Sequence, residues 1–316
     1  MATIGRDSRV TVIGGSGFIG RYVVERLARE GCLICIATRP PDRALFLKTC
    51  GDVGQVTPVA ANIRDQQSIE AVVAGADAVI NLVGILYQSG AQRFSTIQAE
   101  GAGRVAQAAA AAGVTRLVHL SAIGADRASP AAYARSKAAG EEAVRAAFPT
   151  ATILRPSIVF GPEDDFFNRF AKMALISPVL PLIGGGRTRF QPVYVGDVAR
   201  AVVGVLQRTD TAGQIYELGG PGVFSFRALL EMMLRQIDRR RYLIPLPFAL
   251  ASLQGALLQH LPAPPLTLDQ VRLLKRDNVV DPKAKGLADL DITPTPLDVV
   301  LPDYLGRYRP RDRFAR

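Results

Sequence analysis

Cysteine is scarce in this 316-residue chain, which has only Cys32, Cys35 and Cys50. So few, and an odd number, exclude a disulfide framework and point to a reducing compartment. Cys32 and Cys35 form a CxxC, but inside the apolar run CLICIAT, which reads as a strand. A redox pair needs its first sulfur exposed at a helix N-terminus, so both are expected as buried structural thiols. Histidine is scarcer, with two residues. His119 falls in a predicted strand and His260 in an apolar helix, neither with clustered Cys, His or carboxylate partners, so no metal site is expected. Glu163, Asp164 and Asp165 crowd into one loop with nothing opposing them at the separation a glycosidase-type pair requires. The opening MATIGRDSRV lacks the apolar core of a secretory signal and the character of a transit peptide, so the mature chain is expected to start near Met1 in a bacterial-type cytoplasm. Acidic residues are the minority, 28 against 38 Lys and Arg, for a net charge of +10. That balance calls for an anionic partner: a phosphorylated cofactor, a lipid surface, nucleic acid or an acidic protein.

What is present is alternation. Short β-branched runs, RVTVIG, LICIAT, VTPVA, AVINLVG, RLVHLSA and ATILRPS, are separated by amphipathic stretches, FIGRYVVERLARE, QQSIEAVVAG, FSTIQAEGAGRVAQAAAAAG and PAAYARSKAAGEEAVRAAF. This is the pattern of a doubly wound, mostly parallel α/β sheet of Rossmann type. The spacing predicts a dinucleotide-binding domain over 1–155 and a smaller, interleaved α/β lobe over 156–316. QPVYVGDVARAVVGVLQ and QIYELGG are expected to return strands near 190–219 to the main sheet.

VIGGSGFIG sets Gly14, Gly17 and Gly20 between the first strand and the first helix. Glycine permits the tight turn, and the helix start, with Phe18 and Ile19, offers N–H groups to a pyrophosphate. At the end of the second strand, NAD sites usually place an acid for the ribose hydroxyls; this chain has Thr38 and Arg39, with Arg43 nearby. An arginine fork suits a 2′-phosphate, so NADPH is favoured. Asn62, Ile63 and Asp65 follow the third strand, where an adenine would lie. Asn81, Val83 and Gly84 follow the fourth, beside the nicotinamide half.

Ser121 closes the fifth strand, and Tyr133 and Lys137 stand four apart on one helix face. With a lysine ammonium and an oxidised nicotinamide lowering its pKa, the tyrosine would act as acid or base toward a carbonyl or alcohol that Ser121 orients.

With these residues the chain resembles the extended or atypical branch of the short-chain dehydrogenase/reductase superfamily. LRPSIVFGP is similar to that branch's loop over the nicotinamide, with Pro156 and Ile158 as its cofactor contacts, and QPVYVGDVA to a later landmark. More narrowly, GGSGFIGRYVV, YARSKAAGE, LRPSIVFGPEDDFFNRF, RFQPVYVGDVA, YELGGP and RDNVV resemble the NADPH-binding, reductase-like accessory subunits of respiratory complex I and their bacterial relatives. The resemblance spans nearly the whole chain. It implies a cofactor that stabilises more than it reacts, other complex I subunits near the quinone site as partners, and a peripheral place on the cytoplasmic side of a bacterial inner membrane. Gly14, Gly17, Gly20 and Arg39 then map to cofactor contacts, and Tyr133 and Lys137 to the nicotinamide ribose. Ser121 leaves open an active NADP(H)-dependent oxidoreductase on a carbonyl in quinone or isoprenoid metabolism, and a redox-sensing regulator is a third reading.

Between Arg241 and Asp269 there is no Asp, Glu, Lys or Arg. The apolar helix expected there, Phe248 to Leu261, would be about 20 Å long, too short for a hydrocarbon core of ~30 Å. Beside Arg239, Arg240 and Arg241 it suits an anionic membrane interface or an apolar partner, and otherwise a lid over a substrate. The tail carries Arg307, Arg309, Arg311, Arg313 and Arg316, read as solvated or partner-bound; without a recognised reading module, nucleic acid is not expected.

Overall fold

The computed structural model describes residues 4–262 and 264–310; Met1, Arg311, Arg313 and Arg316 lie outside them. The strands are β1 (Arg9–Ile13), β2 (Leu33–Thr38), β3 (Val56–Ala60), β4 (Ala78–Asn81), β5 (Arg116–Leu120), β6 (Thr152–Pro156), β7 (Val159–Phe160), β8 (Val179–Ile183), β9 (Arg189–Phe190), β10 (Val193–Tyr194), β11 (Ile215–Leu218), β12 (Phe224–Ser225) and β13 (Tyr242–Leu246). The α-helices are α1 (Phe18–Arg29), α2 (Gln66–Val73), α3 (Gly101–Ala111), α4 (Ala132–Ala147), α5 (Phe166–Ile176), α6 (Val195–Gln207), α7 (Phe226–Gln236), α8 (Phe248–Leu258), α9 (Leu268–Leu273) and α10 (Leu297–Leu305). The chain divides into two compact units. One comprises 1–156, 196–218 and 281–293; the other comprises 157–195, 219–280 and 294–316.

The first unit holds a seven-stranded sheet in the order β11-β6-β5-β4-β1-β2-β3. Every pairing in it is parallel. Central strands of a parallel sheet are covered on both faces, and β4 and β5 are buried at every residue, the polar Asn81, Arg116 and His119 included. The order reverses between β1 and β4, the place where open α/β sheets bind ligands beyond their carboxyl ends. Helix α1 buries Gly20, Val23, Val24, Leu27 and Ala28, an i, i+3, i+4 stripe. Asp65, expected near an adenine, caps α2 by accepting from the N–H groups of Gln67 and Ser68. Arg155 of β6 pairs with Glu141 of α4 at 2.6 Å and Glu217 of β11 at 3.5 Å, tying three elements with one half-buried guanidinium.

Two elements differ from the sequence pattern. FSTIQAEGAGRVAQAAAAAG is not one regular helix: Ser95–Glu100 forms a π-helical turn before α3. This wide turn aims buried Gln98 both ways, its amide donating to Ile85 O at 2.7 Å and its oxygen accepting from Ser136 Oγ at 2.5 Å. Gly140 of α4 lies so close that an added Cβ would stand 2.2 Å from Gln98 O. Pro41–Cys50, after Arg39, winds into 3-10 turns that nothing in the apolar pattern announced.

In the second unit, strand pairing shrinks to three two-stranded ribbons, β7–β10, β9–β12 and β8–β13. Of the strands between 190 and 219, β11 alone joins the central sheet; β9 and β10 pair in these ribbons. An aromatic core fills the unit, with Phe160, Phe167, Phe190 and Phe226 buried together. Asp164 is buried beneath it and accepts from the N–H groups of Gly161, Phe167 and Asn168 and from Tyr304 Oη at 2.5 Å. The acidic loop is therefore a structural latch. Asn278 plays a similar part: its Oδ1 accepts from Ser157 Oγ at 2.6 Å and from Ile158 N at 3.1 Å. Helix α8 ends at Leu258, three residues short of the expected Leu261, because Pro262 disfavours helical backbone just before it. Among the described residues no helix is long and apolar enough to cross a membrane.

Candidate nicotinamide site

The β1/β4 reversal of the first unit is where the candidate residues gather, beginning with the glycine turn. Gly14 adopts φ +83°, which favours glycine, and an added Cβ would stand 3.1 Å from Val83 Cγ2. At Gly20 a Cβ would come within 2.5 Å of Gly15 O, so α1 can approach the turn only with hydrogen there. Gly17 caps α1 without a side chain, and the first turn of α1 contains no acid. The leading N–H groups of α1, among them those of Phe18 and Ile19, therefore meet no described side-chain acceptor, as an anion-binding helix start requires.

At the end of β2, Thr38 Oγ1 lies 2.9 Å from Ser16 Oγ, and exposed Arg39 donates from Nη2 to Gln92 Oε1 at 3.2 Å. Arg39 thus stands positioned and without a carboxylate partner among the described residues. After β3, Asn62 turns back on its own loop, accepting from Arg64 N at 3.2 Å. The Ile63 side chain belongs to the core, where it packs against Gly101, leaving its backbone alone to line a site. Val83 N donates to Asn81 Oδ1 at 3.1 Å, and a Cβ on Gly84 would sit 3.3 Å from Lys137 Nζ. Pro156 closes β6 and accepts from Ile123 N at 3.1 Å. Ile158 belongs to the second unit, where Asn278 holds its N–H.

Lys137 is buried and donates to Leu120 O at 3.2 Å; loss of water, opposed in part by Glu141, pulls its ammonium down to about 8. Tyr133 is half-buried against Phe94, ring centroids 5.8 Å apart. Here the protein alone departs from expectation. Lys137 was expected to help lower the Tyr133 phenol, yet burial pushes it up to about 12. The ammonium lies 5.9 Å from the centre of the tyrosine ring and is itself bonded to a carbonyl. Ser121 is buried, and its Oγ has no hydrogen-bond partner among the described residues. A buried hydroxyl left unpaired costs about 1–3 kcal/mol, so a ligand atom that bonded Ser121 Oγ would relieve that cost. Uncapped N–H groups, side-chain-free glycines and an orphaned hydroxyl together fit a dinucleotide.

Sequence reasoning missed the buried neighbours. His119 lies two residues before Ser121, its Nδ1 3.3 Å from Asn81 Nδ2 and its Nε2 without a partner among the described residues. Burial first, then Lys137, drives its pKa down to about 3, so it is neutral. Gln98 and Ser16 were also passed over; a lone polar residue in an apolar stripe or a glycine turn carries no local signal. Cys32 is buried, and burial chiefly raises its thiol to about 11.

Comparison with known proteins gives the site its family. A family model for the NAD dependent epimerase/dehydratase family matches residues 10–219. The chain is 39% identical over 311 residues to the mitochondrial NADH dehydrogenase (ubiquinone) 1 alpha subcomplex subunit 9 of Arabidopsis thaliana, covering 95% of this chain and 77% of that one. It is 36% identical over 300 residues to the mitochondrial NADH-ubiquinone oxidoreductase 40 kDa subunit of Neurospora crassa, covering 95% and 79%. In fold it is similar to an NADPH-dependent quinone oxidoreductase from Escherichia coli solved with NADPH, with TM-score 0.73, 22% identity and coverage of 94% and 99%. By the family match, and by identity along nearly its whole length, the chain belongs to the NAD dependent epimerase/dehydratase family and is a relative of these respiratory NADH dehydrogenase subunits.

Proposed function

We propose that the protein is an NADPH-binding, reductase-like accessory subunit of a quinone-reducing NADH dehydrogenase complex, held peripherally at the cytoplasmic face of a bacterial inner membrane near the quinone site. The observation that carries this reading is the 39% identity across 95% of the chain to a subunit of such a complex. That match runs through both units of the chain. NADPH is preferred to NADH because Arg39 stands where an acid would otherwise accept ribose hydroxyls. When bound, the cofactor supplies a hydride-transfer ring and a large polar ligand. Gly14, Gly17 and Gly20 admit its pyrophosphate, Arg39 its 2′-phosphate, and Lys137 and Tyr133 its nicotinamide ribose. Its occupancy stabilises the folded chain by mass action, about 2.7 kcal/mol at a hundredfold excess over Kd.

Gentle detergent extraction followed by native separation tests the reading. The chain is expected to migrate with NADH dehydrogenase activity and to release NADPH on denaturation; a chain that migrates alone and nucleotide-free overturns it. A second reading, an active NADP(H)-dependent oxidoreductase, is favoured by one observation, the orphaned Ser121 Oγ one residue after the carbonyl that Lys137 holds. Tyr133→Phe separates the two. Assembly survives it in the first reading, and turnover of NADPH with small carbonyls disappears in the second.

A further inference from the structure

The second unit carries a concavity that the proposed nicotinamide site leaves unused. β8 ends in Gly184, Gly185 and Gly186, at φ 62°, 71° and 71°, a reversal that only glycine makes without strain. It delivers Arg187 and Arg189 to a cavity of about 640 Å³ whose wall also includes Ser225 and Arg227. Strand register puts Arg189 and Ser225 on one face: β9 and β12 pair Arg189 with Ser225 and Phe190 with Phe224, and Phe190 is the residue buried in the core. Arg227 packs over the reversal, for a Cβ on Gly186 would stand 3.1 Å from its own.

Carboxylates offset this charge only in part. Asp277 holds Arg189 at 2.7 Å and Glu231 lies 3.6 Å from Arg227, both exposed pairs that solvent screens. Arg187 makes no ion pair among the described residues, and no acid lines the cavity. Ser225 Oγ accepts from Ala228 N, which leaves its proton to donate. Three guanidinium forks and a hydroxyl around one opening match a phosphate group.

The surroundings narrow the kind of phosphate. Val223 and Pro245 complete the wall. Along β13, Tyr242 and Ile244 are 76% and 51% exposed. Helix α8 starts beside the same reversal, with the Phe248 ring filling the space a side chain on Gly184 would need. It then turns Leu250, Leu253 and Leu257 outward at 52%, 61% and 69% exposure, while Ala251 and Gly255 face inward. Lys275 Nζ stands 5.7 Å from the Phe248 ring centre, adding a cation at that end of the helix. A water-soluble phosphate ester has no use for such an apolar border; a lipid has both parts.

We propose that the Arg187–Arg189–Arg227 cavity takes the phosphate headgroup of an anionic phospholipid while the outward leucines of α8 enter the acyl boundary of the same leaflet. The inference rests on the peripheral membrane placement proposed above and supplies its chemistry. The test is flotation of the full chain with vesicles of phosphatidylcholine alone or mixed with phosphatidylglycerol, using R187S/R227S and L253S/L257S variants. At roughly fivefold per basic residue, R187S/R227S is expected to bind mixed vesicles about 25-fold more weakly. L253S/L257S is expected to lose retention on the same vesicles. NADPH titration of each variant is expected to be unchanged, because none of these residues belongs to the nicotinamide site, and it shows that each variant is folded. Equal flotation of wild type and R187S/R227S, equal flotation on neutral and mixed vesicles, or saturation by glycerol phosphate with no flotation each overturns the lipid site. All three leave the subunit reading standing, since that reading is judged by comigration with NADH dehydrogenase activity.

Discussion

The two units meet the demand to satisfy buried polar groups in opposite ways. In the first, seven parallel strands pair backbone with backbone, and at the carboxyl end of β5 two buried side chains, His119 through Nε2 and Ser121 through Oγ, are left with atoms unpartnered among the described residues. In the second, short ribbons leave the task to side chains: Asp164 accepts four donors, and Asn278 stitches Ser157 and Ile158. Unsatisfied atoms at the carboxyl end of the first unit's sheet therefore mark a site, whereas a rich polar motif in the second marks a structural joint. FGPEDDFFN and RDNVV look like chemistry and are architecture.

That contrast can be broken most severely on the acid side of the first unit. His119 is buried neutral with a pKa near 3, below its ordinary 6.5, so the unfolded chain takes up the proton first. Stability then falls as pH falls from 6.5 toward 3, on the order of 4 kcal/mol if this group acts alone. Denaturant titrations across that range should show the slope in wild type and a shallower one in His119→Phe. Equal slopes would mean that other groups carry the acid sensitivity.

Next comes the second unit's main joint. Asp164→Ala strands three buried N–H groups and the Tyr304 hydroxyl and is expected to cost about 3 kcal/mol or more. Amide exchange should accelerate at Phe167 and Asn168. An Asp164→Ala protein as stable as wild type would refute the latch. Asn278→Ala removes two bonds from the same unit, and about 2 kcal/mol is expected, read by chemical denaturation. The smallest effect falls on the nicotinamide site and touches no core: Arg39→Glu should weaken NADPH about tenfold or more, leave NADH nearly as before, and leave the melting temperature without cofactor unchanged. Equal loss for both nucleotides would remove Arg39 from the 2′-phosphate.

The first unit was the more legible from sequence because period and punctuation agreed there. β-branched runs, glycine at the turn and a strand end without an acid each have a local physical meaning, and β1 to β6 lie where those runs lie. The π-helical turn was illegible, since STIQAE fits ordinary helix and the groups it packs against and bonds to, Gly140 and Ser136, lie some 40 residues on. In the second unit the apolar segment could be read but its partners could not. Asp164 and Tyr304 are 140 positions apart, and no spacing rule joins them. The raised phenol of Tyr133 was hidden for a related reason: spacing gives the distance along a helix, not the burial around it.

The wide turn at Ser95–Glu100 makes chain length itself a constraint. A helix advances about 100° per residue, so losing one codon there would let ordinary winding resume and swing Gln98 off both its anchors, leaving Ile85 O to find water in a dry seam and Ser136 Oγ with Tyr133 O alone. Inherited variation should accordingly tolerate altered letters in that stretch far better than an altered count of them.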